Sequence, residues 1–131
     1  MNQKAAYWVE IAEYDLETAR AMLRTERFLY VGFMCHQVVE KMLKACYAHG
    51  TDEIPPYVHN LRRLADLSGT YGEMSDDQKG LLDVLEPLNV ETRYPADRMS
   101  LARALDRPGC EELLSRTEDF YRWIKQRLSN T

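Results

Sequence analysis

Three side chains with useful chemistry lie close together in the segment NVETRYPAD, residues 89–97. The Arg93 guanidinium can bind a phosphate group through parallel hydrogen bonds, and the Tyr94 ring can stack on a ligand or donate a hydrogen bond. The Asp97 carboxylate can hold either of them in place. Pro95 disfavours helical backbone at the residue before it, so the segment is predicted to interrupt or kink a helix. It is either a functional edge or an elaborate cap.

Polar and aromatic side chains share one face of segment 28–49, which has helical periodicity. At about 100° per residue, the other face is apolar and consists of Cys35, Val38, Val39, Met42, Leu43, Ala45 and Cys46. The mixed face carries Phe33, His36, Gln37, Glu40, Lys44 and Tyr47. A solvated face rarely combines Phe and Tyr with such polar residues. Both faces are therefore predicted to be covered, one by the core and one by a neighbouring helix or a second subunit, although Glu40 and Lys44 also form an ordinary i,i+4 pair.

Two isolated titratable residues have both a structural and a chemical interpretation. Asp15 lies in the middle of the apolar face of the predicted helix 3–25, where an unpaired carboxylate would be costly to bury. We expect it to be a structural anchor to an Arg, Lys or Tyr side chain or to a helix N-terminus, with ligand contact as the alternative. His59 falls in the first turn of a predicted short helix that Pro55-Pro56 opens and that ends near Gly69. It either bonds to the preceding loop or takes part in chemistry.

The rest of the chain is also predicted to be helical. The segment 75–78, Ser-Asp-Asp-Gln, has the pattern of a capping box. It starts a fourth helix whose inward face is Leu81, Leu82, Leu85 and Leu88. Asp106 and Pro108 start a last amphipathic helix, and residues 98–106 are predicted to be loop with a short turn.

These elements define the fold class that we expect. No alternating strand pattern of useful length is present. The sequence predicts an all-α fold, namely an antiparallel up-and-down four-helix bundle with an additional short helix. It forms a single domain over residues 1–131.

The charge distribution bears on nucleic-acid binding. A net charge of −4 over 131 residues argues against broad electrostatic binding to nucleic acid, though not against a local basic patch. The arginines after the break are Arg93, Arg98, Arg103 and Arg107. If they share a face, they can hold a phosphate-bearing partner; otherwise they are solvated loop residues.

Localisation and cofactors follow from composition. No signal peptide is expected, and the longest apolar run, Leu29–Cys35, is far shorter than the about 20 residues that span a bilayer. Cys35, Cys46 and Cys110 form no C-x-x-C pair, which is typical of a reducing cytoplasm without disulfides. His36 and Glu40 lie one helical turn apart, but nothing completes a metal shell. We therefore predict no membrane contact, no metal and no cofactor.

Four motifs, taken in order, resemble the HEPN family. They are Tyr14-Asp15-Leu16-x-x-Ala19, Cys35-His36-Gln37-Val38-Val39-Glu40-Lys41-x-Leu43-Lys44-Ala45, His59-Asn60-Leu61-x-x-Leu64 and Thr92-Arg93-Tyr94-Pro95-x-Asp97. They cover about residues 7–97, and the last amphipathic helix fits the remainder. The resemblance implies a four-helix up-and-down bundle with an added short helix, frequently dimeric. It also implies a complex with a minimal nucleotidyltransferase, commonly as a toxin–antitoxin pair, and an association with nucleotide binding.

The sequence departs from the family's catalytic signature. Many HEPN proteins are metal-independent ribonucleases in which an Arg is followed, after four to six residues, by a His, and both copies of a dimer contribute to one cleft. No His follows Arg93 at that spacing, and His36, His49 and His59 have no Arg at the matching upstream distance. Histidine suits the proton transfers of RNA cleavage near neutral pH, whereas Arg stays protonated. The usual ribonuclease chemistry is therefore in doubt.

Three hypotheses for function remain. The first is a homodimeric binding module that docks a minimal nucleotidyltransferase or a nucleotide. Its contact residues would be Arg93, Tyr94 and Asp97 together with His36, Gln37, Glu40 and Lys44. The second is a variant ribonuclease whose catalytic candidates are Arg93, Asp97 and His59, and the third is a structural bundle without a ligand. The missing His favours the first and makes an enzyme less expected.

Two structural alternatives accompany these hypotheses. Arg93 either faces a ligand or pairs internally with Asp15 or Glu40, in which case Tyr94 and Pro95 seal the end of the bundle. Phe33 and Tyr47, on the mixed face, are the candidates for the dimer interface.

Overall fold

A computed structural model describes residues 1–130, and six α-helices account for most of them. The helices are α1 (Gln3–Arg24), α2 (Phe28–Thr51), α3 (Leu61–Leu67), α4 (Asp76–Leu85), α5 (Pro95–Ala104) and α6 (Arg107–Ser129). Short 3₁₀ turns at 71–73, 86–88 and 90–92 join α3 to α4 and α4 to α5. None of the 130 described residues lies in a β-strand, so the all-α prediction is confirmed.

Contacts between side chains fix the direction of each long helix. The start of α1 meets the end of α2, because Asn2 Nδ2 donates to the Ala48 carbonyl at 2.9 Å. Helices α1 and α6 also run antiparallel, with Tyr121 Oη donating to Glu13 Oε2 at 3.2 Å. Arg116, in the middle of α6, donates to the Asp77 carbonyl at the start of α4. The chain therefore runs up and down through α1, α2, α4 and α6, while α3 and α5 are additions to this four-helix bundle.

Helix α2 forms the centre of the bundle because it is covered on both sides. Its predicted apolar face is buried throughout, and His36, Glu40 and Lys44 on the mixed face are buried as well. A Cβ at Gly32 would lie 3.0 Å from Leu88 Cδ1, so glycine lets the turn after α4 approach α2 closely. The apolar face is therefore covered as predicted, whereas this chain covers the mixed face only in part, because Phe33, Gln37 and Tyr47 stay half-buried.

The three cysteines lie inside this core as free thiols. Burial raises the pKa of Cys35 and of Cys46 to about 12 and that of Cys110 to about 11, because the thiolate loses its hydration. They therefore act as small apolar side chains, as expected.

Polar caps begin several helices as the sequence predicts. Both halves of the capping box form at α4, since the Gln78 amide donates to Ser75 Oγ at 3.1 Å and the Ser75 amide donates to Gln78 Oε1 at 2.9 Å. At α6, Asp106 Oδ1 accepts from the Gly109 amide at 2.9 Å. Each cap satisfies an amide that has no partner within its helix.

Three predicted boundaries are wrong. Residues 95–104 are helix α5 rather than loop, because Pro95 supplies the first-turn φ and no amide is lost there. Helix α3 begins at Leu61, capped by Asn60 Oδ1, so His59 lies in the extended segment before it. Helix α2 passes Gly50 and ends where Asp52 adopts a left-handed conformation, φ 56°.

Within residues 1–130, no helix combines the length and apolar character that crossing a bilayer demands.

Candidate ligand-binding cleft

An open cavity of about 720 Å³, here called the cleft, lies over the mixed face of α2. Helix α1 forms one wall, the segment before α3 forms the second, and the turn at 89–92 closes one end. Its aromatic lining consists of Trp8, Phe33 and Tyr57, and its charged lining includes Asp15, Glu40, Lys41, Lys44, His59 and Glu91. The cleft thus combines aromatic surface with charged groups of both signs.

The Glu40 carboxylate is the centre of the charged lining. Its side chain is only 3% exposed. Oε1 lies 3.2 Å from His59 Nδ1, and Oε2 lies 3.3 Å from Lys44 Nζ and 3.7 Å from Lys41 Nζ. A carboxylate removed from water needs such partners, and α2 supplies two of them at positions i+1 and i+4.

Asp15 faces this group from α1. Burial raises the pKa of its carboxyl, while the positive charge of Lys41 opposes that rise. Asp15 Oδ2 lies 4.0 Å from Lys41 Nζ, and Lys41 also donates to Gln37 Oε1 at 2.8 Å. The expected lysine anchor of Asp15 is therefore present. The alternative pairing of Asp15 with Arg93 is wrong, because the partner of Asp15 is Lys41 on the facing helix.

His36 lies beneath the cleft and is completely buried. Neither ring nitrogen has a hydrogen-bond partner among the described residues. Burial lowers the pKa of His36 to about 4, against the attraction of Glu40; the charges of Lys41, His59 and Arg93 lower it further. His36 therefore does not reach the cleft surface, and its predicted role as a direct binding residue is wrong for this structure.

His59 lies in the wall of the cleft, where its side chain approaches Glu40. The His59 ring is 37% exposed in the cleft wall and makes an edge-to-face contact with Tyr57, with ring centroids 4.6 Å apart. Glu40 holds one ring nitrogen of His59. This contact orients the His59 ring in the wall of the cleft.

Arg93, Tyr94 and Asp97 form an edge beside the cleft, here called the arginine edge. The Arg93 side chain makes no hydrogen bond or ion pair with residues 1–130, and its Nε is buried without a partner. Tyr94 is 81% exposed. The Asp97 carboxylate is exposed and contacts neither of them, so its predicted role as their support is wrong because the first turn of α5 directs it to solvent.

The structure therefore separates the predicted site residues into two groups. Gln37, Glu40, Lys44 and His59 share the cleft, whereas Arg93, Tyr94 and Asp97 lie on the arginine edge. Internal pairing of Arg93 with Glu40 is also wrong, because Lys41, Lys44 and His59 already surround that carboxylate. Of the other arginines, Arg107 pairs with Glu26 at 3.1 Å, so the four do not form one free basic face.

Sequence reasoning gives no site role to several residues of the cleft, among them Lys41, Trp8, Tyr57 and Asn89. The helical pattern places Trp8 in the core, and it gives no role to Tyr57 or to Asn89. Asn89 is 7% exposed, and its Oδ1 is buried without a hydrogen-bond partner within residues 1–130. No sequence pattern links these residues, because Trp8, Tyr57 and Asn89 are far apart in the chain and only the fold brings them to one cavity.

Among residues 1–130, no three His, Cys, Asp or Glu side chains are placed to hold a metal ion together.

Comparison with known proteins places this architecture first by fold and then by family. The chain is similar to the crystal structure of TT1696 from Thermus thermophilus, with a TM-score of 0.78 and 22% sequence identity over 95% of this chain and 98% of that chain. Comparison with curated proteins finds no match. The HEPN domain model matches residues 5–128. The chain belongs to the HEPN family, which confirms the resemblance that its four motifs indicated.

Proposed function

We propose that this HEPN chain is a binding module that acts as the partner of a minimal nucleotidyltransferase in a toxin–antitoxin-like pair, with Arg93 as the contact for a nucleotide phosphate. One observation carries the proposal. Arg93 keeps its whole hydrogen-bonding capacity unused within residues 1–130, although carboxylates of the same bundle are paired nearby. A guanidinium of this kind can take a phosphate through two parallel bonds.

The neighbours of Arg93 support an external ligand. Tyr94 is 81% exposed, and a phenol ring at the surface can stack or donate a hydrogen bond. The Arg98 Nε donates to the Arg93 carbonyl at 3.3 Å, which ties the first turn of α5 to this backbone. The backbone of the arginine edge is therefore held in place, while Tyr94 and Asp97 are exposed and Arg93 is half-buried.

Two steps test the complex: a search of the adjacent reading frame for a minimal nucleotidyltransferase, and copurification of that protein with this chain. Tagged wild-type protein is expected to retain the partner on the column, and Arg93→Ala is expected to lose it. Isothermal titration with ATP is a second measurement, in which Arg93→Ala is expected to bind ATP more weakly than wild type. Arg103→Ala is the control, since Arg103 is exposed on α5 and has no partner within residues 1–130. Equal behaviour of both variants and wild type would remove Arg93 from the proposal.

A second candidate, a metal-independent ribonuclease, is favoured by the Glu40–His59 pair. A His held by a buried carboxylate at 3.2 Å has the arrangement of a general acid–base, and Arg93 can stabilise charge on a phosphate. Incubation of purified protein with total tRNA in EDTA tests this candidate. Cleavage by wild type that His59→Asn and Arg93→Ala both abolish would establish the ribonuclease. Intact tRNA after incubation with folded wild-type protein would exclude the ribonuclease and favour the binding module.

The proposed complex contains a homodimer in the cytoplasm. Apolar side chains near the start of α2 support a second copy: Tyr30 is 38% exposed and Phe33 is half-buried at the cleft. Tyr47, the other interface candidate, is engaged by Glu53 at 3.4 Å through its hydroxyl. The free buried thiols support a reducing compartment.

A further inference from the structure

An apolar groove of about 310 Å³, here called the α1 groove, lies between the start of α1 and the segment that follows α2. Ile54, which is 80% exposed, and Tyr7, which is 61% exposed, line it together with Trp8 and Pro55. Trp8 also lines the cleft, so Tyr57, 91% exposed, continues the apolar surface on that side. Isoleucine is among the residue types most often buried, and apolar side chains exposed as a group mark a contact surface.

Hydrogen bonds between α1 and the end of α2 hold the α1 groove open. Lys4 Nζ donates to the Asp52 carbonyl at 2.6 Å, and Asn2 Nδ2 donates to the Ala48 carbonyl at 2.9 Å. The Glu53 amide donates to Thr51 Oγ1 at 3.2 Å, directly before Ile54. The exposed position of Ile54 is therefore built into the fold, and a partner that docks there does not have to order the groove first.

Acidic side chains border the α1 groove and continue along α1. The exposed acidic residues of this surface are Glu10, Glu13, Glu17, Asp52 and Glu53. Two cations of the same surface are already paired, Lys4 with Asp52 at 3.8 Å and Arg20 with Glu118 at 2.8 Å. Arg24 lies at the far end of the helix. The surface around the exposed apolar side chains therefore carries excess negative charge.

The spacing of the exposed rings on α1 matches the length of a docked helix. Tyr14 is 75% exposed and lines a second open cavity, of about 620 Å³, with Glu10, Glu13 and Glu17. It follows Tyr7 by two helical turns, or about 10 Å. Amphipathic helices that dock in grooves present apolar anchors at positions i, i+3 or i+4, and i+7, which cover the same distance.

We propose that the α1 groove and the acidic face of α1 dock a basic amphipathic helix of a partner protein. An apolar anchor of that helix enters the groove beside Ile54 and Tyr7, and its Lys or Arg side chains face Glu10 and Glu53. This contact goes beyond the proposed function, in which Arg93 on the arginine edge makes the contact.

The acidic border argues against other occupants. In a symmetric contact between two copies of this chain the same patch faces itself, so Glu10 and Glu53 would meet like charges. The phosphates of a nucleic acid or of an anionic lipid surface would be repelled in the same way. A partner that carries positive charge beside an apolar anchor gains from both features of the surface.

A designed peptide tests the apolar contact. The probe is a fluorescein-labelled synthetic helix of Leu and Lys with Leu at positions i, i+4 and i+7, and its binding to the full chain is followed by fluorescence anisotropy. Wild type is expected to bind it saturably, and Ile54→Ser is expected to weaken binding on the order of 10-fold, as loss of an apolar contact implies. Val84→Ser is the matched control, since Val84 is 45% exposed on α4.

Charge reversal tests the acidic border. Glu10→Lys is expected to weaken binding of the Leu-Lys peptide several-fold, whereas Glu112→Lys, at an exposed position of α6, is expected to leave it unchanged. High salt is expected to remove the effect of Glu10→Lys, because salt screens exposed charges, and to leave the effect of Ile54→Ser. A matching peptide with Glu in place of every Lys is expected not to bind.

Several outcomes would overturn the proposal, with circular dichroism showing that each variant is folded. They are no binding of the Leu-Lys peptide, equal binding by Ile54→Ser and Val84→Ser, and equal affinity for the Glu peptide. Self-association in light scattering that Ile54→Ser abolishes would assign the α1 groove to a second copy instead. Arg93→Ala is expected to bind the peptide like wild type, so this surface is tested separately from the arginine edge; loss of peptide binding in Arg93→Ala would place the peptide elsewhere.

Discussion

Glu40 Oε1 lies 3.2 Å from His59 Nδ1, so a carboxylate buried in the central helix holds a histidine in the wall of the cleft. The same carboxylate lies 3.3 Å from the ammonium group of Lys44 and 3.7 Å from that of Lys41, both on its own helix. One buried side chain thus determines the charge of the cleft floor, the orientation of a titratable ring and the packing of α2.

Replacement of Glu40 by Gln is expected to lower the free energy of unfolding by about 3 kcal/mol, because Lys44 would be left buried without its counter-charge. Urea unfolding followed by circular dichroism measures the change. Glu10→Gln, on an exposed position of α1 without a partner, is the control. A Glu40→Gln protein as stable as the control would show that the buried pair contributes nothing net.

His36 is expected to make the protein less stable in mild acid. Its pKa falls from 6.5 to about 4 on folding, so the unfolded chain takes up a proton near pH 6.5 while the folded protein does not. Stability due to the neutral ring is therefore complete above pH 6.5 and is lost as pH falls toward 4, by about 3 kcal/mol in all. Below pH 4 this contribution no longer changes.

The variant His36→Leu isolates that effect. Asp15 acts in the opposite sense, because its raised pKa makes the folded protein the better proton acceptor above pH 3.8. The free energy of unfolding of wild type and of His36→Leu is therefore measured by urea unfolding at several pH values from 7 to 4, and the difference between the two proteins is compared across that range. If the free energy of unfolding changed with pH in the same way in both proteins, the lowered pKa of His36 would be contradicted.

Arg93→Ala is expected to change stability by less than about 1 kcal/mol, because its guanidinium makes no internal bond that the substitution removes. Partner or ATP binding is expected to fall by at least roughly 10-fold, the loss of a charge-assisted contact. Thermal melts and titration on the same samples separate the two effects. A large fall in melting temperature would reveal that Arg93 supports the fold instead.

Phe33→Asp is expected to convert a dimer into a monomer, because a charge would replace an apolar contact at the proposed interface. Light scattering coupled to gel filtration measures the mass. Val84→Asp on α4, where Val84 is 45% exposed, controls for the effect of an added surface charge. A Phe33→Asp protein that remains dimeric would exclude this face as the interface.

The bundle could be predicted because its long helices carry continuous apolar stripes. The buried positions of α6 recur every three or four residues, and the predicted apolar face of α2 is buried throughout. The caps at Ser75 and Asp106 follow from local side-chain chemistry that can be recognised in the sequence. Helix α5 escapes prediction for the converse reason. None of its residues is buried, so it has no stripe for a periodicity argument to detect.

The site could be predicted only in part because its geometry depends on contacts distant in sequence. The Glu40–Lys44 pair is local and follows from helical spacing, whereas the Glu40–His59 and Asp15–Lys41 contacts require α1, α2 and the segment before α3 to be packed. Asp97 shows the same limit. Its spacing from Arg93 suggests contact, but the first turn of α5 sets its direction.

The absence of buried side chains in α5 has a consequence for how the protein opens. Only half-buried Leu101 and Leu105 attach α5 to the core, so its amides can exchange with solvent through local opening, at a much smaller free-energy cost than those of α2. The segment that follows Arg93 and Tyr94 is therefore the least protected part of the bundle's polar side. Under the proposed function, a partner protein that docks on the arginine edge would be able to reshape this segment and leave the folded core intact.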